Sequence, residues 1–246
     1  MANMRIGIFS DIHSNLEALK VALTFLSKQK VGQYLFIGDL VGYGANPNDC
    51  IDLVKKLKCF SVAGNHDYGV LSRIDIENFN DAAKQAIEWT KKELNSTSKS
   101  FLETFTVQNH YRNFLLVHSS PHHPDKWEYI FSLEQAQNEF KFFNEQICII
   151  GHSHCPFVVE KDETKNEFKR INQPRFKIKE KFKYLINVGS VGQPRDGDTR
   201  ACAAIFDTTT NFFELYRLEY DIKLAQKKII DAGLPPVLAY RLSEGK

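Results

Sequence analysis

Five apolar, β-rich runs in this sequence are each followed at once by aspartate, asparagine or histidine. The segments, in chain order, are "GIFSDIHSN", "FIGDLVGYG", "SVAGNHD", "LLVHSSP" and "IIGHSHCP". Segments with the apolar spacing of helices separate them, and strands that alternate with helices form a largely parallel sheet. The carboxyl ends of such strands open on one crevice, so residues far apart in the chain meet there. The pattern predicts an α/β fold with a polar site at the strand ends.

The polar residues at these strand ends are of types that bind metal ions. They are Asp11, His13, Asp39, Asn65, His118, His152 and His154. Oxygen and nitrogen donors without thiolate suit manganese, iron or zinc. The set is too large for one four-ligand zinc site, whereas two ions that share a carboxylate would use all of it. The alternative is a series of polar turns, but turns favour glycine, asparagine and aspartate rather than repeated histidine.

The rest of the chain predicts helices between the first strands and a run of strands after residue 155. The S-x-x-E spacing of Ser14 and Glu17 is typical of a capping box at the start of the first helix. The segment "RFKIKEKFKYLINV" alternates apolar residues and lysine, which predicts one long strand. Asp221 is expected to cap a final helix that ends before Pro235. We therefore expect one domain over residues 1–246, with two packed sheets and helices outside.

Composition narrows the functional classes. The 246 residues are 43% hydrophobic and 25% charged, and no apolar run approaches the roughly 20 residues of a membrane span. A formal net charge of +2 argues against a broad nucleic-acid surface. Five cysteines without a C-x-x-C pair favour reduced thiols and a cytoplasmic location.

The motifs together resemble those of a known family. The series D-x-H, G-D-x-x-G, G-N-H-D, a lone histidine after a strand and G-H-x-H is similar to the calcineurin-like metallophosphoesterases, with every block in order from Asp11 to His154. The segment "NVGSVGQPRDGDTRACAAIFD" and the strand–helix ending resemble the small bacterial and archaeal phosphodiesterases of that superfamily. The resemblance implies two packed mixed β-sheets (a β-sandwich) flanked by helices, and a phosphoesterase that uses two metal ions.

The resemblance also implies a role for each matched residue. The first metal would be held by Asp11, His13 and His154, the second by Asn65, His118 and His152, and Asp39 would bridge the two. His66 would remain unliganded beside the site as the general acid that protonates the leaving oxygen.

Three further residues are candidates for substrate contact. Arg195 in "GQPRDGD" suits a bidentate phosphate contact, or is a simple turn residue. The rings of Tyr43 and Trp127 either stack on a base or pack their loops onto the body. We expect a small phosphorylated substrate that is hydrolysed at a phosphodiester or phosphoanhydride bond, such as a diadenosine polyphosphate. The alternatives are a non-catalytic scaffold on the same fold, a phosphoprotein phosphatase or a nuclease.

Overall fold

The computed structural model describes residues 4–246 and contains two six-stranded sheets. The strands are β1 (Arg5–Phe9), β2 (Val31–Phe36), β3 (Phe60–Ser61), β4 (Gln108–Tyr111), β5 (Phe114–Val117), β6 (Ile147–Ile150), β7 (Phe157–Asp162), β8 (Glu167–Ile171), β9 (Arg175–Lys177), β10 (Phe182–Asn187), β11 (Ala201–Asp207) and β12 (Phe212–Leu218). The helices are α1 (Leu16–Lys28), α2 (Pro47–Lys56), α3 (Asn65–Val70), α4 (Asp81–Glu93), α5 (Ser96–Leu102), α6 (Leu133–Glu139), α7 (Ile222–Asp231) and α8 (Pro236–Tyr240), and a 3₁₀ turn follows at Arg241–Ser243.

Both sheets are mixed. The first has the order β3-β2-β1-β11-β12-β9, in which β1, β2 and β3 are parallel and the other neighbours antiparallel. The second has the order β4-β5-β6-β10-β7-β8, in which β5, β6 and β10 are parallel. The predicted fold of two packed mixed sheets flanked by helices is confirmed.

The central strands are buried on both faces. Ile8 and Leu35 point into the core between the sheets, where they join Tyr184 of the second sheet. Their chain neighbours Phe9 and Phe36 point outward into a second core beneath α1 and α2. A strand with two buried faces needs apolar residues at consecutive positions, which is why these runs are continuous in the sequence.

The C-terminal helices pack beside the end of the molecule that carries the polar site. Leu238 of α8 and Ala225 of α7 share a buried cluster with Ala86 of α4 and with Tyr43. The 3₁₀ turn after α8 then brings Arg241 within hydrogen-bond distance of Gln193. Across residues 4–246, every helix is too short or too polar to cross a membrane.

The first helix is not capped by the predicted Ser14–Glu17 box. Asn15 is the cap, and its side-chain oxygen accepts a hydrogen bond from the backbone N–H of Ala18. Ser14 has a φ of +54°, a left-handed conformation outside the extended region in which a capping residue lies. The helix therefore begins one residue later than the sequence pattern suggests.

The predicted long strand over "RFKIKEKFKYLINV" is two strands in different sheets. β9 is the edge of the first sheet, and β10 lies inside the second. The chain turns between them at Lys181, which has a φ of +62°. The apolar alternation is nevertheless correct, because Phe176, Ile178 and Tyr184 all enter the core between the sheets.

Candidate metal centre

Backbone hydrogen bonds join the strand ends that carry the predicted ligands. The N–H of Asp11 donates to the carbonyl of Gly38 at 2.9 Å, and the N–H of Gly151 donates to that of His118 at 2.9 Å. The N–H of His152 donates to Oδ2 of Asp11 at 3.2 Å and so connects the two sheets. These bonds therefore hold the carboxyl ends of β1, β2, β5 and β6 together at the base of the site.

Four of the predicted ligands form a first group. Nε2 of His154 lies 3.2 Å from Oδ1 of Asp11 and 3.1 Å from Nε2 of His13. Nε2 of His13 lies 3.5 Å from Oδ2 of Asp39. The ligand atoms of these four residues all lie within 4.8 Å of one another, close enough for one cation to bind them together.

A second group shares Asp39 with the first. Nε2 of His118 lies 3.2 Å from Oδ2 of Asp39, and Nδ1 of His152 lies 3.2 Å from Nε2 of His118. These three residues again have ligand atoms within 4.8 Å of one another. Asp39 is thus the residue common to both groups, in the position that the sequence resemblance implies for a bridging carboxylate.

The donor set fits cations because some of its oxygens have no other partner. Oδ1 of Asp11 and Oδ1 of Asn65 are buried and accept no hydrogen bond from the described chain. Asp11 and Asp39 are 0% and 1% exposed as whole residues. Burying carboxylates costs several kcal/mol each unless cations or hydrogen bonds compensate. Bound divalent ions would supply that compensation.

A backbone carbonyl fixes the orientation of each of the four histidines in the two groups. Nδ1 of His13, His118 and His154, and Nε2 of His152, donate to carbonyl oxygens at 2.6–3.1 Å, those of Val41, Ile37, Gln193 and Trp127 respectively. A carbonyl oxygen only accepts, so in the neutral form of each ring the opposite nitrogen is unprotonated and available to a metal. Because any residue supplies a carbonyl, the sequence contains no signal for these partners.

The pKa of His118 is shifted in the opposite direction to the pKa values of the neighbouring histidines. Burial lowers the pKa of His13 well below its usual value and that of His152 to about 3. Burial also acts to lower the pKa of His118, but the carboxylates of Asp39 and Asp11 outweigh it and raise that pKa to about 9. Without metals, the buried negative charge is therefore offset by a proton on His118.

His66 lies against the first group without joining it. Its ring centre is 4.8 Å from that of His13, and its backbone N–H donates to Oδ1 of Asp39 at 2.9 Å. Nδ1 is buried without a partner, against Gly42, which leaves Nε2 as the nitrogen that can face a substrate. Burial lowers the pKa of His66 to about 4, although Asp39 acts to raise it.

The sequence motifs predict no role for Asp67. Its carboxylate accepts hydrogen bonds from the backbone N–H groups of Asp39, Leu40, Val41 and Gly64 at 2.9–3.2 Å. It thus connects the G-N-H-D segment to the segment that carries the shared ligand.

Two glycines allow the ligand segments to approach each other. A Cβ on Gly64 would lie 2.0 Å from Oδ1 of Asp39, and one on Gly151 would lie 2.1 Å from Oγ of Ser10. A side chain at either position would therefore collide with the site.

The three candidates for substrate contact all border this centre. Tyr43 is buried, with its ring against His13 and His66 and its hydroxyl accepting from Arg195 at 3.4 Å. Trp127 packs edge-on against His118, and its Nε1 is buried without a partner. The neighbouring Tyr129, which is 44% exposed, stacks on His152 with the ring centres 4.0 Å apart.

A family profile described as the calcineurin-like phosphoesterase superfamily domain matches residues 4–211. The chain belongs to the calcineurin-like phosphoesterase superfamily. It is 40% identical over 250 residues to the uncharacterised protein MJ0912 of Methanocaldococcus jannaschii, with all of both chains covered.

Solved structures of similar proteins extend the comparison. A metallophosphoesterase from Sphaerobacter thermophilus is 37% identical, with 99% of each chain covered and a TM-score of 0.87. The hypothetical protein PH1004 from Pyrococcus horikoshii OT3 shares the fold, with 18% identity, 98% of each chain covered and a TM-score of 0.80. This calcineurin-like phosphoesterase therefore combines the superfamily fold with aspartate and histidine groups that could bind metals.

Proposed function

We propose that the chain is a dinuclear metal-dependent phosphoesterase that hydrolyses phosphodiester or phosphoanhydride bonds, with nucleotides among its substrates. The observation that carries the proposal is the pair of ligand groups that share Asp39, with unpartnered buried oxygens on Asp11 and Asn65. Two bound cations of manganese, iron or zinc would neutralise charge on phosphoryl oxygens and lower the pKa of bound water toward about 7.

The protein's own side chains contribute binding and proton transfer. In this proposal His66 donates a proton from Nε2 to the departing oxygen, a contribution of typically about 10²–10⁴-fold. Because burial lowers the pKa of His66 to about 4, this role requires the negative charge of the substrate to favour the protonated ring. Arg195 would bind phosphate oxygens of the substrate.

A cavity beside the centre supports a nucleotide as substrate. It has a volume of about 360 Å³, and its walls include His66, Phe79, Trp127 and Tyr129. Asn78 and Asn80 also line it. Aromatic faces with a few amide groups are the usual means of binding a base.

The test combines metal analysis with a substrate screen. Protein purified and then loaded with Mn²⁺ should contain two metal equivalents by elemental analysis. It should hydrolyse bis(p-nitrophenyl) phosphate and diadenosine tetraphosphate with a higher kcat/KM than p-nitrophenyl phosphate or sugar monophosphates. Protein that binds two metals and hydrolyses none of these esters would support the scaffold alternative instead, and a preference for monoesters would contradict the diester and anhydride assignment.

A further inference from the structure

Two arginine side chains meet beside the candidate metal centre. Arg195 donates from Nη2 to Oε1 of Gln193 at 2.9 Å, and Arg241 donates from Nη1 to the same oxygen at 3.3 Å. Gln193 is 1% exposed and its backbone carbonyl also orients His154. One buried amide therefore holds two guanidinium groups, which come from positions 46 residues apart in the chain.

Neither guanidinium has an acidic partner. Among residues 4–246, no carboxylate oxygen lies within 4.0 Å of a side-chain nitrogen of Arg195 or Arg241. Asp196, the residue after Arg195, is bound by Arg217 instead. Nε of Arg241 is buried and donates to no atom of the described chain. Two like charges held side by side repel each other, and an anion between them would offset that repulsion.

Arg195 connects the arginine pair to the candidate centre. Nη2 of Arg195 lies 3.4 Å from the hydroxyl of Tyr43, whose ring centre is 4.5 Å from that of His13 and 4.4 Å from that of His66. The backbone N–H of Arg195 donates to the carbonyl of His154 at 3.4 Å. One side chain thus separates the guanidinium of Arg195 from the ligands and from the candidate proton donor.

We propose that Arg195 and Arg241 bind a second phosphoryl group of the substrate, so that the preferred substrates are phosphoanhydrides rather than simple diesters. This inference rests on the proposed function. In the hydrolysis of an anhydride, the oxygen of water bonds to one phosphorus, the bridging P–O bond breaks, and the departing phosphate keeps the electron pair while one proton of the water is released. Each guanidinium group can donate two parallel hydrogen bonds to two oxygens of a phosphate, whereas an ammonium group acts as a point charge.

The first experiment measures anion binding without catalysis. Inorganic phosphate is titrated into the full chain after its metals have been removed, with circular dichroism to check that each variant is folded. The wild type should bind phosphate, and Arg241→Gln should weaken binding by about tenfold or more. Arg200→Gln is the matched control, because Arg200 is exposed and paired with Asp198. Absence of binding to the wild type, or equal binding to Arg241→Gln, would overturn the inference.

The second experiment compares two substrates on the metal-loaded enzyme. Diadenosine tetraphosphate carries phosphoryl groups beyond the scissile one, and bis(p-nitrophenyl) phosphate does not. The ratio of their kcat/KM values should fall by about 10–100-fold in Arg241→Gln, partly recover in Arg241→Lys, and stay at the wild-type value in Arg200→Gln. Gln193→Glu, which places a carboxylate on both guanidinium groups, should lower the same ratio.

The two proposals fail in different ways. A wild type that hydrolyses neither compound would contradict the proposed function. A wild type that hydrolyses both, with a ratio unchanged in Arg241→Gln, would contradict only the role of the arginine pair.

Discussion

Oδ2 of Asp67 accepts a hydrogen bond from the backbone N–H of Asp39 at 2.9 Å. The same oxygen accepts from Gly64 at 3.0 Å, and Oδ1 accepts from Leu40 and Val41. Asp67 is 0% exposed, so these bonds are shielded from water. One carboxylate therefore fixes the backbone of the segment from which the shared ligand projects.

We expect Asp67→Asn to destabilise the protein by about 2–3 kcal/mol, because the amide nitrogen cannot accept from N–H groups that face it. Urea unfolding of the metal-free variant measures this loss. The exposed Asp52 offers a control, and Asp52→Asn should unfold at the wild-type midpoint. Equal midpoints for the two variants would mean that the four hydrogen bonds contribute nothing to stability.

The shared position of Asp39 predicts a loss at both metal positions. Asp39→Asn removes the charge common to the two ligand groups, so bound metal should fall from two equivalents to one or fewer. His123→Ala should retain two, because His123 lies on an exposed loop and stacks on His122. Elemental analysis after dialysis distinguishes them, and two equivalents in Asp39→Asn would rule out the bridging role.

His66→Gln separates proton transfer from metal binding. His66 is outside both ligand groups, so the variant should keep its metals. Its kcat should fall by about 10²–10⁴-fold on a diester with an alkoxide leaving group, and by less than about tenfold on a nitrophenyl ester, since nitrophenolate departs without a proton. Similar losses on the two substrates would count against His66 as the general acid.

Protons and metals should compete at His118. Its pKa, raised to about 9 by the carboxylates despite burial, exceeds the ordinary histidine value of 6.5. Protonation of His118 therefore stabilises the folded, metal-free protein fully below pH 6.5, and this stabilisation is lost as the pH rises through about 9. Metal binding needs the neutral ring, so metal affinity should weaken by up to about tenfold for each pH unit below 9.

Calorimetry in two buffers of different ionisation enthalpy counts the protons released by metal binding. We expect close to one proton from His118 at pH 7. In His66→Gln the count should be unchanged, because burial already holds that ring neutral at this pH. Metal binding that releases no proton would contradict the charged state of His118.

Sequence alone could locate the candidate ligands because they follow directly after apolar strands. Asp11 and His118 lie in different sheets: the rule places each at the carboxyl end of its own parallel strand, and the packing of the two sheets then brings them together. Arg241 could not be found in this way. It lies in a short turn after Pro235, where the sequence predicted only the end of a helix, and its position depends on how α7 and α8 pack.

The sequence also could not separate a turn from a continuing element. Ser14 and Lys181 both adopt a left-handed backbone conformation, which serine and lysine seldom adopt. Each changes the predicted boundary of a helix or strand. The buried face of the interrupted strand was still predictable, because Phe176 and Tyr184 keep their spacing across the turn and enter the same core.

Each ligand group draws on both sheets. Asp11, His13 and Asp39 follow strands of the first sheet, whereas His118, His152 and His154 follow strands of the second. Cations bound there would act as cross-links between two layers that also meet through apolar contacts and through hydrogen bonds such as those from His152 to Asp11 and from His118 to Ile37. Metal removal would then weaken the contact between the two sheets at the metal centre and leave the hydrogen bonds within each sheet intact. Amide exchange would accelerate around residues 10–15 and 151–154 and remain slow in β11 and β12.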